Sequence, residues 1–105
     1  MPEIDIDQLA AKLQQEGTFL VDVREPDEFA EAHVPGARSV PMGRLPDALS
    51  DADRDVPVYV ICASGNRSSA MTDVLIGAGF DATNVAGGTK AWINAGHPTE
   101  SGATA

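Results

Sequence analysis

Three short strand-like segments, separated by stretches with helical spacing, constrain the fold of this chain more than any other feature. They are the runs Thr18–Val23 (TFLVDV) and Val56–Ile61 (VPVYVI), and the shorter Ala82–Val85 (ATNV). Near-continuous apolar runs like the first two suit strands buried on both faces. Between them, Asp5–Gln15 carries Ile6, Leu9, Ala10 and Leu13 at helical spacing behind an Asp suited to an N-cap. Pro26-Asp27-Glu28-Phe29-Ala30 opens a second helix, with Pro early and acids in the first turn. Ser69–Ala78 places Ala70, Met71, Val74, Leu75 and Ala78 on one side, and Gly79 follows as a stop. Thr89–Asn94 is a last helix ending at Gly96. A brief strand is expected at Ser39-Val40 after a turn at Pro35-Gly36, and Leu45–Leu49 is at most a short helix. Strands alternating with helices pair in parallel through right-handed crossovers. The expected fold class is α/β, three-layered, with a central parallel sheet and helices on both faces.

The 105 residues suffice for one domain with a hydrophobic core and are too few for two. That domain is expected to span residues 1–98, with 99–105 (TESGATA) as a disordered tail without periodicity. No apolar stretch approaches the roughly 20 residues that cross a bilayer, and the acidic N-terminus lacks signal-peptide character. Cytoplasmic residence is the expectation. The 16 acidic and 7 basic residues give a net charge of −9, which disfavours nucleic acid or an anionic membrane as partner. A monomer is expected. One cysteine forms no internal disulfide, and the chain has no clustered His and Cys of a zinc site.

In open parallel sheets, sites form beyond the carboxyl ends of the strands. Three segments should meet there: Asp22-Val23-Arg24, Cys62 to Arg67, and Ala86-Gly87-Gly88. The lone cysteine opens the loop Cys62-Ala63-Ser64-Gly65-Asn66-Arg67-Ser68 between a strand and a helix. A tight loop entering a helix turns its N–H groups inward as an anion-binding concavity, and Gly65 and Asn66 tolerate the bend. The helix N-terminus and the Arg67 guanidinium add positive charge, which draws a thiol toward thiolate. Arg67 also has the fork of donors suited to a tetrahedral oxyanion. A cysteine after an apolar strand is by itself more often a buried small hydrophobe. The loop composition and the arginine spacing weigh toward a reactive thiol, and together with a family resemblance they reverse that reading.

The chain resembles the single-domain rhodaneses, the thiosulfate sulfurtransferase family. The residues that carry the resemblance are D-V-R-x-x-x-E-F…H-x-P-G-A from Asp22 to Ala37, C-x-x-G-x-R-S from Cys62 to Ser68, and G-F…N-V…G-G…W…G-x-P from Gly79 to Pro98. The resemblance implies an α/β fold and a ping-pong reaction without metal or organic cofactor. Cys62 would attack the outer sulfur of a small anionic donor such as thiosulfate and carry it as a persulfide. Cyanide or a thiol, including a thiol carrier protein, would then accept it. The amides of Ala63 to Ser68 would stabilise the charged intermediate. It also implies that Asp22 and Arg24 form a charged pair supporting the loop. Ala63 stands where several thiosulfate rhodaneses have a cationic or large polar residue, which leaves the donor open.

Other readings compete with this one. Cysteine phosphatases have five residues between Cys and Arg, whereas this loop has four, a smaller ring of amides. Gly77-Ala78-Gly79-Phe80-Asp81-Ala82 matches the letters of a dinucleotide fingerprint but closes a helix instead of opening one. His33 is expected to hydrogen-bond in a turn, Trp92 to lie in the core, and His97 has no functional signal. An alternative from another class is a rhodanese-like binding or sulfur-carrier module that docks a partner through its acidic surface.

Overall fold

The computed structural model describes residues 1–102. Its strands are β1 (Glu3–Ile4), β2 (Phe19–Asp22), β3 (Arg38–Ser39), β4 (Val58–Ile61) and β5 (Ala82–Val85). The helices are α1 (Ile6–Lys12), α2 (Pro26–Glu31), α3 (Asn66–Gly77) and α4 (Gly88–Asn94), with 3₁₀ turns at Met42–Arg44 and Asp47–Leu49. All pairs in the five-stranded sheet are parallel, in the order β1-β5-β4-β2-β3.

Alternation along the strands sorts the core into two clusters. Val21 and Val23 of the β2 region, with Val58, Val60 and Cys62 along β4, pack with Leu75 of α3 and Leu49 of the second 3₁₀ turn. Leu20 and Ile61, one residue out of phase, pack on the opposite face with Leu9, Phe29 and Trp92 of α1, α2 and α4. A strand turns successive side chains to opposite faces, and here both faces are covered. The three-layer α/β expectation is met.

Local signals explain most helix starts. At α1, the Asp5 carboxylate accepts from the Gln8 N–H at 2.8 Å, and Gln8 Oε1 accepts from the Asp5 N–H at 2.8 Å. Pro26 occupies the first position of α2, where a missing N–H costs nothing, and the Glu25 N–H donates to Glu28 Oε1 at 3.1 Å.

The structure departs from the sequence reading at four places. β1 was not expected; it is a two-residue edge strand held by main-chain bonds from Asn84 to Pro2 and from Ala86 to Ile4. α3 begins at Asn66, three residues earlier than the apolar pattern implies, because Gly65 makes the turn with φ +103°. Its inner face is also rotated: Ser68, Thr72 and Leu75 are buried, while Ala70 and Val74 are exposed. Thr72 can lie inside because its hydroxyl donates to the Ser68 carbonyl at 2.7 Å. Finally, residues 99–102 are tied to the domain instead of trailing from it. Glu100 exchanges main-chain hydrogen bonds with His33 at 2.8 and 2.9 Å, and the Gly102 N–H reaches the Ala30 carbonyl. Main-chain pairing of this kind leaves no side-chain pattern to read. Positions 103–105 of the expected tail lie outside the described residues.

Leu75 is fully buried between α3 and the sheet. Leu75→Ala should cost about 2–5 kcal/mol of unfolding free energy, read from the midpoint and slope of a urea titration.

Candidate active site

The three expected segments converge at the carboxyl end of the sheet. The Val23 N–H extends the β2–β4 pairing to the Ile61 carbonyl at 3.0 Å, which sets Asp22 and Arg24 beside the start of the cysteine loop. On the other side, the Thr89 N–H donates to the Cys62 carbonyl at 2.9 Å and the Lys90 N–H to the Ala63 carbonyl at 3.0 Å. The first turn of α4 thus clasps the loop by its backbone. Gly88, at φ +62°, is what allows the approach: a Cβ there would run into the carbonyl oxygens of Cys62 and Ala63.

Cys62 continues the inward alternation of Val58 and Val60, so its side chain faces α3 and is 1% exposed. Its sulfur is surrounded by donors. The Gly65 N–H lies 3.1 Å away and the Ser68 hydroxyl 3.3 Å away. Burial pushes the thiol pKa up more than any single neighbour pulls it down. The Ser68 hydroxyl and the N–H groups of Ser68, Gly65 and Ser64 together outweigh burial, so the net shift is downward. No side chain caps the start of α3, so its first amides remain available to the sulfur.

Asp22 and Arg24 form a buried pair. Arg24 Nη2 lies 2.8 Å from Asp22 Oδ2, Nε bonds both carboxylate oxygens, and the Arg24 N–H adds a bond to Oδ1 at 3.1 Å. A further bond of 2.8 Å runs from Nη2 to the Ala32 carbonyl. The pair is therefore interior, and it fastens the end of β2 to the end of α2.

Arg67 is placed differently from the sequence expectation. Its two terminal nitrogens grip Glu28, at 2.7 Å to Oε1 and 2.9 Å to Oε2. The fork expected to hold a donor oxyanion is occupied by a carboxylate of the protein itself. The Arg67 hydrogen bonds hold the Glu28 carboxyl down at about 2, well below its usual range, and Glu28 in turn raises the Arg67 pKa. Glu28 is the site residue that sequence reasoning left without a role. It was visible only as a first-turn acid and within D-V-R-x-x-x-E-F, and nothing local tells that it meets an arginine 39 residues away.

Beside the loop lies a pocket of about 220 Å³ whose wall includes Arg24, Glu28, Ala63, Thr89 and Lys90. The remaining candidates are accounted for structurally. His33 is fully buried, its Nδ1 lies 2.8 Å from the Phe29 carbonyl, and its ring stacks on Phe29 at 3.8 Å. Trp92 is in the core and donates to the Pro98 carbonyl at 2.7 Å. Among the described residues no group of carboxylates, histidines and cysteine is arranged to hold a metal, and no helix is long and apolar enough to cross a membrane.

Residues 5–95 match the rhodanese-like domain family. This chain is a member of that family. It is 39% identical over 88 residues to thiosulfate sulfurtransferase GlpE of Pseudomonas putida, covering 83% of this chain and 79% of that one. Its fold superposes on a rhodanese-related protein of Thermoplasma volcanium with a TM-score of 0.87, at 30% identity and covering 95% of this chain and 98% of that one. A rhodanese-like domain protein of Staphylococcus aureus gives a TM-score of 0.82 at 38% identity, covering 88% of this chain and 91% of that one. The family resemblance carried by the three motifs is confirmed.

The pH midpoint for alkylation of Cys62 should lie below that of the same thiol in the unfolded chain, and Ser68→Ala should move it upward, both read from iodoacetamide rates against pH. Because the thiol pKa is lowered on folding, its contribution to stability is present above the unfolded-state value and fades as pH falls through the folded one. Gly88→Ala should destabilise the domain by about 1–3 kcal/mol in thermal unfolding, from backbone strain and loss of the clasp.

Proposed function

We propose that this protein is a sulfurtransferase that carries sulfur as a persulfide on Cys62. The observation that supports this reading best is the sulfur held among donors: an amide at 3.1 Å, a hydroxyl at 3.3 Å and the start of a helix. Such surroundings favour an anionic sulfur species, first the thiolate and then the terminal sulfur of a persulfide. A general base is not needed for a thiol already drawn toward its anion.

Thiosulfate is the donor we assign, on the strength of the relatives named for it. The Cys62 thiolate attacks the outer sulfur and forms the new S–S bond. The S–S bond of thiosulfate breaks, and its electron pair leaves with sulfite. In the second half, a nucleophile (cyanide in an assay, a thiol otherwise) takes the outer sulfur and returns Cys62 to thiolate. The amides from Ala63 to Ser68 carry the stabilisation in both halves. Arg67 contributes its charge from within the Glu28 pair and keeps the first turn of α3 fixed against α2. Asp22 and Arg24 hold the loop's floor.

Intact-protein mass spectrometry tests the reading directly. Incubation with thiosulfate should add one sulfur atom, and cyanide should remove it. Cys62→Ser should lose both events while keeping its far-UV circular dichroism. Turnover retained in that variant would end the proposal.

A further inference from the structure

The grip of Arg67 on Glu28 uses the two terminal nitrogens that an arriving oxyanion would need, at 2.7 and 2.9 Å. Glu28 is not free to step aside. Its Oε1 also accepts from the Glu25 N–H at 3.1 Å, the bond that closes the first turn of α2, so the carboxylate is fixed from both sides. It stays ionised at neutral pH, because the Arg67 hydrogen bonds hold its pKa down at about 2. Arg67 in turn belongs to the surroundings of the sulfur. It lies between Gly65, whose N–H is 3.1 Å from Cys62 Sγ, and Ser68, whose hydroxyl is 3.3 Å away. Its charge is felt there, since the Cys62 thiolate is among the groups that raise the Arg67 pKa. The pair is a third exposed on each side, so a donor coming from solvent meets it already closed. Coulomb energy scales with the charge of the donor. A dianion therefore loses twice what a monoanion loses when the guanidinium is cancelled by a carboxylate.

We propose that Glu28 sets the charge of the sulfur donor: as an internal competitor for Arg67, it tilts the site from doubly charged thiosulfate toward sulfane donors with a single negative charge. The inference rests on the persulfide reading given above and deepens it by naming a donor class. Thiosulfate remains a donor on this account, at a KM that Glu28 raises. Glu28 acts only through Arg67 and is a specificity residue, not a catalytic one. The matched probe is methanethiosulfonate, which has one negative charge and the same kind of outer sulfur. The step balances for both donors. The Cys62 thiolate forms a new S–S bond to the outer sulfur, the S–S bond of the donor breaks, and its electron pair leaves with sulfite or with methanesulfinate.

The test is single-turnover sulfur loading, read by intact mass as rate against concentration for each donor. Glu28→Gln removes the charge and keeps an oxygen for the Glu25 N–H. It should raise the loading efficiency (limiting rate over KM) about threefold for methanethiosulfonate, the worth of one exposed charge contact, and about tenfold for thiosulfate, with twice the charge. The ratio of the two donors thus rises about threefold, through KM and not through the limiting rate. Asp27→Asn removes a carboxylate from the same turn of α2 that is not bonded to Arg67, and should leave the ratio unchanged. A Glu28 that only braced the loop would slow both donors alike in Glu28→Gln and leave their ratio as it was. That result would overturn the proposal and leave the persulfide reading standing. An equal rise of the ratio in Asp27→Asn would overturn it too, by reducing the effect to overall charge. Failure of either donor to load sulfur on the unaltered protein would overturn both readings.

Discussion

Two main-chain hydrogen bonds hold the site together: those from Thr89 and Lys90 to the carbonyls of Cys62 and Ala63. In a planar trans peptide the carbonyl and the N–H point in opposite directions. Turning the Ala63 carbonyl out to α4 therefore turns the Ser64 N–H inward to the thiol. Among the amides that lower the Cys62 pKa, that of Ser64 faces the sulfur because the carbonyl of the same peptide is bound to α4. Gly88 is the condition for this, since its missing Cβ is what lets α4 come close. A loop chemistry that looks local thus depends on a helix that begins well after it in sequence.

Electrostatically, the site works by enclosure. The chain has a net charge of −9, a poor setting for an anionic sulfur. Its two arginines nearest the loop are each matched with a carboxylate, Arg24 with Asp22 and Arg67 with Glu28. What remains for the sulfur is a set of fixed dipoles, the amides and the Ser68 hydroxyl, which need no counter-ion. The Glu28 pair is a third exposed on each side, so its worth lies more in orientation than in stability. It ties the opening turn of α3 to α2, and Glu28 also accepts from the Glu25 amide at the start of α2.

The layers of the fold were legible because strand and helix periods differ. The apolar runs at 18–23 and 56–61, interrupted by helical spacing, leave few alternatives to a parallel sheet. β1 was not legible, since two residues on an edge carry no period, and neither was the anchoring of residues 99–102, which is made by backbone atoms. The face of α3 was misread because hydropathy places Ser68 and Thr72 outside; paired with each other and with the thiol, they belong inside. The cysteine loop was legible through its composition, and the convergence of three segments followed from topology. The partner of Arg67 was not, because an ion pair across 39 residues has no signature in either neighbourhood. Thr89 likewise gives no sign in sequence that its hydroxyl lacks a partner.

One consequence concerns the far end of the described chain. Trp92 lies on α4, the helix that clasps the cysteine loop, and its indole is bonded to the Pro98 carbonyl. Two residues on, Glu100 zips onto His33 at the close of α2. The same helix is thus a lever with the thiol at one end and the terminal segment at the other. Shortening the chain ahead of Pro98 would take away the acceptor of the Trp92 indole, one of the bonds that seat the helix against the domain.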